Sequence, residues 1–233
     1  MVKRDALTGL LALSGGLLLQ GQLPLAAAAA AKAATQVGAY LPNDEAAGPG
    51  FVRYTPDNRK TPALRAGVIK PNPDYYSFVL PETWSEGLIT NPQSGVFCMP
   101  RCDEPWVEAI FQEDKEGWCQ LVVSPLFRLV SKAKATVRDV GPPEGVVESV
   151  GNFITGNYLS EDDVTSMKIE KLADGREAYV YEVYAPYAQH GGHILACFTV
   201  KADAAYLFVV SANDKQWAQS QPKLRKMLQS FQA

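Results

Sequence analysis

The chain has 233 residues, with 22 Lys and Arg against 25 Asp and Glu, which gives a formal net charge of −3. A mildly acidic chain of this length predicts one globular domain and argues against nucleic-acid binding, because phosphate-binding proteins usually present a basic surface. Two His and four Cys leave little material for a multi-histidine metal centre.

Residues 1–34 have the pattern of an export signal. The basic pair Lys3-Arg4 precedes a Leu-rich stretch, and a run of alanines at residues 26–31 follows. Charge, apolar stretch and small residues in this order are what export machinery reads and cleaves. Pro24 interrupts the apolar stretch, so a permanent membrane anchor is the weaker alternative. We expect residues 1–34 to be removed on export.

Residues 35–74 are rich in Pro, Gly, Asn and Asp and show no apolar periodicity. This composition predicts an extended Pro-rich arm with little regular structure, which either docks on a partner or is an inert linker. The basic residues of the arm that could contact a partner are Arg53, Arg59, Lys60, Arg65 and Lys70.

The folded domain is expected over residues 75–233, where apolar residues alternate as they do in half-buried strands. The predicted strands cover residues 76–80, 106–111, 118–123, 167–172, 178–184, 194–200 and 206–211. Asp174-Gly175 predicts a two-residue hairpin turn with positive φ at both positions.

Two helices are predicted among these strands. One begins near Pro142 and buries a stripe that starts at Val146. The other begins with Asp214 as its N-cap, faces Trp217 inward and is broken or restarted at Pro222. Strands in hairpin order with two helices indicate an α+β domain on an antiparallel sheet.

Several segments of this domain resemble the PsbP family. They are Tyr76 to Trp84, Val140 to Glu144, Gly191-Gly192-His193, and Ser211 to Trp217 followed by Leu228 to Phe231. Further runs, Pro105 to Glu108, Val122 to Leu126 and Thr155 to Asn157, are most similar to the branch called PsbP domain-containing protein 6. The resemblance implies an α-β-α sandwich around a central antiparallel sheet of about six strands.

The resemblance also implies a function and a compartment. We expect a non-catalytic, monomeric protein of the chloroplast thylakoid lumen, an auxiliary factor for photosystem II and its oxygen-evolving complex in assembly, stability or regulation. It would bind photosystem subunits or assembly intermediates and associate with the membrane only peripherally. The alternatives are a thiol/disulfide-responsive lumenal factor and a calcium- or metal-binding extrinsic photosystem subunit.

A metal site is one hypothesis that the resemblance raises. In the family, a His after paired glycines and an Asp before Lys and Trp lie close together, and the matching residues are His193 and Asp214. They would form a structural hydrogen bond or supply two ligands to a weakly bound Ca, Mn or Zn ion. A zinc site made by Cys98 and Cys102 with His193 or His190 is a further alternative. No cofactor is expected to be required.

The four cysteines fall into two classes. Cys98 and Cys102 lie in a turn-rich segment and are close enough in sequence for a local disulfide, which would act better as a redox switch than as a structural bond. Cys119 and Cys197 lie in predicted strands, where they are either buried free thiols or an alternative pair. The standard hydrolase, nucleotide-binding and metalloprotease motifs are missing from the sequence, so we expect no enzymatic activity.

Overall fold

The computed structural model describes residues 34–57, 62–65, 76–89 and 105–233. The export signal predicted over residues 1–34 lies outside these ranges, apart from its last residue. The strands are β1 (Phe51–Tyr54), β2 (Phe78–Pro81), β3 (Ser85–Glu86), β4 (Trp106–Glu113), β5 (Gly117–Pro125), β6 (Val164–Lys171), β7 (Glu177–Tyr184), β8 (His193–Lys201) and β9 (Ala204–Ala212). The helices are α1 (Pro62–Arg65), α2 (Val137–Val140), α3 (Pro143–Thr155) and α4 (Asp214–Gln229).

Seven strands form an antiparallel sheet in the order β3-β4-β5-β9-β8-β7-β6, and β1 pairs with β2 in a separate two-stranded sheet. All nine residues of the central strand β9 are buried. Successive side chains of a strand point to opposite faces, so a continuous apolar strand feeds a core on each side of the sheet.

One core lies between the sheet, helix α4 and the β1–β2 pair. The ring of Phe208 on β9 lies 4.5 Å from that of Phe78 on β2 and 5.1 Å from that of Phe231 beyond α4. All three side chains are fully or nearly fully buried, and burial of each contributes about 1.5–3 kcal/mol. These contacts hold the two sheets and the last residues together.

The other core lies between the opposite face of the sheet and helices α2 and α3. Val146 and Ile154 of α3 are buried there with Tyr179 and Tyr181 of β7 and Phe198 of β8. The helices on both faces confirm the α-β-α sandwich. The sheet has one strand more than expected, because the two-residue strand β3 pairs with β4 at the edge.

Residues 34–57 differ from the extended arm that their composition predicts. Val37 and Val52 are fully buried, and β1 pairs with β2 so that Val52 faces Leu80. The short 3₁₀ helix Val37–Ala39 has three residues and β1 has four. Both are too short for an apolar periodicity to be visible in the sequence. This part of the predicted arm is therefore a layer of the domain.

Arg53, assigned from the sequence to partner contact, is used inside the fold. Its guanidinium donates to the Asp44 carboxylate and, at 3.1 Å, to Ser77 Oγ. Asp44 is buried and also accepts a 2.7 Å hydrogen bond from the backbone of Ala47. Arg59, Lys60, Lys70 and the side chain of Arg65 lie outside the described residues.

Helix α4 differs from the sequence prediction in its N-cap and in its continuity at Pro222. Its N-cap is Asn213, whose side chain accepts hydrogen bonds from the backbone N–H groups of Lys215 and Gln216, while Asp214 is the first helical residue. Pro222 lies inside the helix without ending it. A proline removes one backbone hydrogen bond, but buried Leu224 and Met227 keep the following turns packed on the sheet.

The hairpin between β6 and β7 also differs from the two-residue turn that the sequence predicts. Gly175 has a φ of +83°, whereas Asp174 does not have a positive φ. Leu172 and Arg176 are hydrogen-bonded across the turn, with the Gly175 N–H donating to the Leu172 carbonyl. Three residues therefore lie between the bonded pair Leu172 and Arg176, and only the glycine among them has a positive φ.

The segment that leads into β2 and the residues after α4 meet in space. Ser77 and Gln232 exchange backbone hydrogen bonds of 2.8 and 2.9 Å, and the Val79 N–H donates to Ser230 Oγ at 2.9 Å. The residues after α4 thus complete the free side of β2. Among the described residues, no helix is long and apolar enough to span a membrane.

Candidate functional site

The His193 side chain is positioned by the glycine pair that precedes it. Gly191 has a φ of +119°, and a Cβ at this residue would lie 2.3 Å from the carbonyl carbon of Ala212. Only glycine allows this close approach of the β7–β8 loop to the end of β9. His193 then pairs with Ala212 at the start of β8, which places its imidazole beside the first turn of α4.

His193 and Asp214 are in direct contact, as the resemblance implied. Nε2 of His193 lies 2.9 Å from Oδ1 of Asp214, in the first turn of α4. A carboxylate at this end of a helix is favoured by the helix dipole. The His193 side chain is 26% exposed and that of Asp214 is 80% exposed, so the pair lies at the surface.

Aromatic and charged side chains extend the pair into a larger cluster. The His193 ring stacks on Trp217 at 4.9 Å with an interplanar angle of 6°, and Tyr184 lies against it at 4.9 Å. Arg225 lies 5.7 Å from the centre of the Trp217 ring and donates hydrogen bonds of 2.8 and 3.0 Å to Glu182. We call these side chains the His193 cluster: Glu182, Tyr184, His193, Asp214, Trp217 and Arg225.

The side chains of the His193 cluster come from three elements of the fold, with His193 itself at the start of β8. Glu182 and Tyr184 come from β7, and Trp217 and Arg225 come from α4. The hydrogen bonds from Arg225 lower the pKa of Glu182, and the same contact raises the pKa of Arg225. Both groups are therefore charged at neutral pH, and a bidentate guanidinium–carboxylate pair fixes the position of each.

The His193 cluster offers few ligands for a metal ion. His193 and Asp214 supply one nitrogen and one carboxylate, and no group of three or more potential ligands occurs among the residues the structure describes. An ion bound there would take its remaining ligands from water. Metal binding at this pair stays a prediction.

The cysteines that the structure describes are free thiols. Cys119 on β5 and Cys197 on β8 are buried, and β9 lies between these two strands. The alternative Cys119–Cys197 disulfide is therefore wrong. Burial raises the pKa of Cys197 to about 12 and that of Cys119 further, so neither forms a thiolate readily.

The disulfide between Cys98 and Cys102 lies outside the described residues and stays a prediction, as does a zinc site that uses them. Of the two histidines considered for that zinc site, His190 stacks on Trp118 with the ring centres 3.9 Å apart. Burial lowers the pKa of His190, which favours the neutral form of its imidazole.

Glu108 on β4 carries a buried carboxyl group that the sequence analysis did not indicate. The pairing of β4 with β5 shifts between Val107 and Ala109, which makes Glu108 the extra residue of a bulge. Glu108 is 1% exposed and accepts hydrogen bonds from the Ala63 N–H at 2.6 Å and the Tyr76 hydroxyl at 2.8 Å. Burial raises its pKa to about 7.

The PsbP family profile matches residues 70–233, which is more than half of the chain. The chain belongs to the PsbP family. It is 45% identical over 197 residues to "PsbP domain-containing protein 6, chloroplastic" of Arabidopsis thaliana, and the match covers 84% of this chain and 73% of that relative. The family and branch inferred from the sequence segments are confirmed.

Two further PsbP proteins match this chain at lower sequence identity. "PsbP-like protein 1, chloroplastic" of Arabidopsis thaliana is 21% identical over 168 residues, which cover 70% of this chain and 63% of the relative. The solution structure of cyanobacterial PsbP (CyanoP) from Synechocystis sp. PCC 6803 is 16% identical, with a TM-score of 0.49. The match covers 79% of this chain and 92% of that chain.

Proposed function

We propose that this PsbP-domain protein is a non-catalytic auxiliary factor of the chloroplast thylakoid lumen that binds photosystem II subunits or assembly intermediates. Membership of the PsbP family and the 45% identity to a relative named as chloroplastic support the compartment. The export signal predicted over residues 1–34 supports passage across a further membrane.

The observation that carries a binding role is the His193 cluster. It combines a histidine, two other aromatic side chains and an arginine, all held at the surface by ion pairs and stacking. Tyr, Trp and Arg are the residues that most often dominate the binding energy of protein interfaces. Because their positions are fixed before binding, little conformational entropy is lost when a partner docks.

Purification of the tagged protein from solubilised thylakoids, followed by native electrophoresis, tests this function. We expect the protein to migrate with photosystem II subunits or assembly intermediates. Tyr184→Ala and Arg225→Ala should weaken this association, because each removes a contact side chain from the His193 cluster.

Phe127→Ala is the matched control, since Phe127 is also an exposed aromatic residue, 54% accessible, but follows β5 at the opposite end of the sheet. Circular dichroism and thermal unfolding check that all variants fold. Absence of photosystem subunits from the purified material, or equal binding by all three variants, contradicts the proposal.

The alternative of a redox-responsive factor rests on Cys98 and Cys102. Cys119 and Cys197 do not support it, because both are buried free thiols. Mass spectrometry after alkylation, with and without prior reduction, tests for a Cys98–Cys102 bond. Four free thiols would rule out a regulatory disulfide.

A further inference from the structure

Strand β6 is an edge strand of the seven-stranded sheet, and no other strand in the described part of the chain pairs with its outer side. The side chains of Met167 and Ile169 on this strand are 40% and 43% exposed. The charged residues of the same stretch, Lys168, Glu170 and Lys171, are exposed as well. A long edge strand with apolar side chains is a template to which another strand can add.

The direction of the backbone groups on this edge follows from the β6–β7 hairpin. The Leu172 N–H donates to the Arg176 carbonyl at 2.8 Å, so these two residues form a hydrogen-bonded pair. Bonded pairs alternate along an antiparallel ladder. Met167, Ile169 and Lys171 therefore direct their backbone N–H and C=O groups away from β7, towards the free edge.

The length of regular strand available for pairing is also defined. A register shift interrupts β6 between Val164 and Ser166. At the other end, the chain turns back after Leu172. The regular stretch is thus residues 166–172, and its middle residue is Ile169, one of the residues with outward-facing backbone groups. A second copy of the same stretch, antiparallel and centred on Ile169, pairs along its whole length.

The charges on β6 select this register. When Ile169 lies opposite its own equivalent, Lys168 of each copy lies opposite Glu170 of the other, which gives two attractive pairs. When the pairing is centred on Lys168 or on Glu170, that residue faces its own equivalent and like charges meet. Cross-strand pairs of opposite charge stabilise a sheet, and like charges directly opposite destabilise it.

The apolar side chains of β6 agree with the same arrangement. Ile169 pairs with Tyr179 and Met167 pairs with Tyr181, so all four lie on the α3 face of the sheet. In the register centred on Ile169, the two copies of Ile169 lie directly opposite each other on this face. Each Met167 lies diagonal to Ile169 of the other copy and opposite its Lys171. Pairing would remove these exposed side chains from water.

We propose that two copies of this chain associate through β6, antiparallel and centred on Ile169, and so join their sheets edge to edge. The partner is a second copy because the sequence of β6 is complementary to itself in one register. This association differs from the monomer that the sequence analysis predicts. Lysine on an edge strand normally prevents such pairing, but here each Lys168 meets a glutamate.

Sedimentation velocity of the purified full chain over rising concentration tests the proposal. We expect the mass to rise from 25.3 kDa towards twice that value. Lys168→Glu turns both attractive pairs into repulsive ones, and should raise the dissociation constant about tenfold or more. The double variant Lys168→Glu, Glu170→Lys restores opposite charges and should restore the dimer.

Two further variants complete the experiment. Ile169→Pro removes an N–H that faces outward and is not used in the β6–β7 ladder, so it should abolish the dimer and leave the fold intact. Lys115→Glu makes the same charge change at the exposed tip between β4 and β5, and should leave the dimer unchanged. A chain that stays monomeric at every concentration, or a double variant that does not restore association, overturns the proposal.

Discussion

The hydroxyl of Tyr76 donates a 2.8 Å hydrogen bond to the buried carboxyl of Glu108, which also accepts from the backbone of Ala63. This contact joins three segments that are distant in the sequence, the one before β2, strand β4 and helix α1. It also places an ionisable group inside the protein core, with consequences for stability.

Glu108 makes stability depend on pH. Burial raises its pKa from 4.5 to about 7, so the folded protein holds the proton more tightly than the unfolded chain. The free energy of unfolding should therefore fall as pH rises from about 4.5 to about 7, by at most about 3 kcal/mol. Urea unfolding at a series of pH values measures this slope.

Glu108→Gln should flatten the slope, because the amide does not titrate. Glu148→Gln is the control, since Glu148 is an exposed residue of α3. If Glu108→Gln keeps the slope of the unchanged protein, the carboxyl does not control the pH dependence.

Gly191→Ala should destabilise the protein severely. The new Cβ would lie 2.3 Å from the Ala212 carbonyl carbon at a φ of +119°, and overpacking plus the left-handed backbone together cost about 3 kcal/mol or more. Gly175→Ala is the matched control, with a φ of +83° and no atom within 4 Å. It should cost about 1 kcal/mol, and equal losses in urea unfolding would contradict the steric explanation.

Ala202→Gly should stabilise the protein. Ala202 has a φ of +54° in the two-residue turn between Lys201 and Ala204, where an L-residue costs about 1–2 kcal/mol. Glycine relieves this strain but adds about 0.4–1 kcal/mol of entropy to the unfolded chain. The net gain is about 0.5–1 kcal/mol, or a rise in Tm of about 1–4 °C in calorimetry. A lower Tm would show that Ala202 is not strained.

Cys119 and Cys197 should resist alkylation in the native protein. Both thiols are buried and have raised pKa values, so at pH 8 they are neither exposed nor ionised. Peptide mapping by mass spectrometry should find them unmodified by iodoacetamide under native conditions and labelled in guanidinium chloride. Labelling of either residue in the folded state would show that its strand opens.

Two kinds of feature could be predicted from the sequence: strand positions, which depend on the local residue pattern, and contacts that the family resemblance implies. The apolar runs predicted for β7, β8 and β9 lie within one or two residues of the observed strand ends, because a buried strand needs apolar side chains along its length. The contact of His193 with Asp214 followed from the family motifs.

Long-range partners could not be predicted in this way. Arg225 and Glu182 are 43 residues apart, and Arg53 meets Asp44 only after the chain has turned between them. A charged residue gives no sign in the sequence of whether it will face a partner protein or a carboxylate of its own fold. The persistence of α4 through Pro222 likewise depends on tertiary packing, which outweighs local propensity.

The contacts of β2 with the residues after α4 determine when the domain can fold. Val79 bonds to Ser230, 151 residues later, and Ser77 bonds to Gln232. During synthesis on the ribosome, β2 therefore acquires these partners only after α4 and the residues that follow it have been made. Such non-local pairing slows folding, so this part of the core forms later than the local β6–β7 hairpin can.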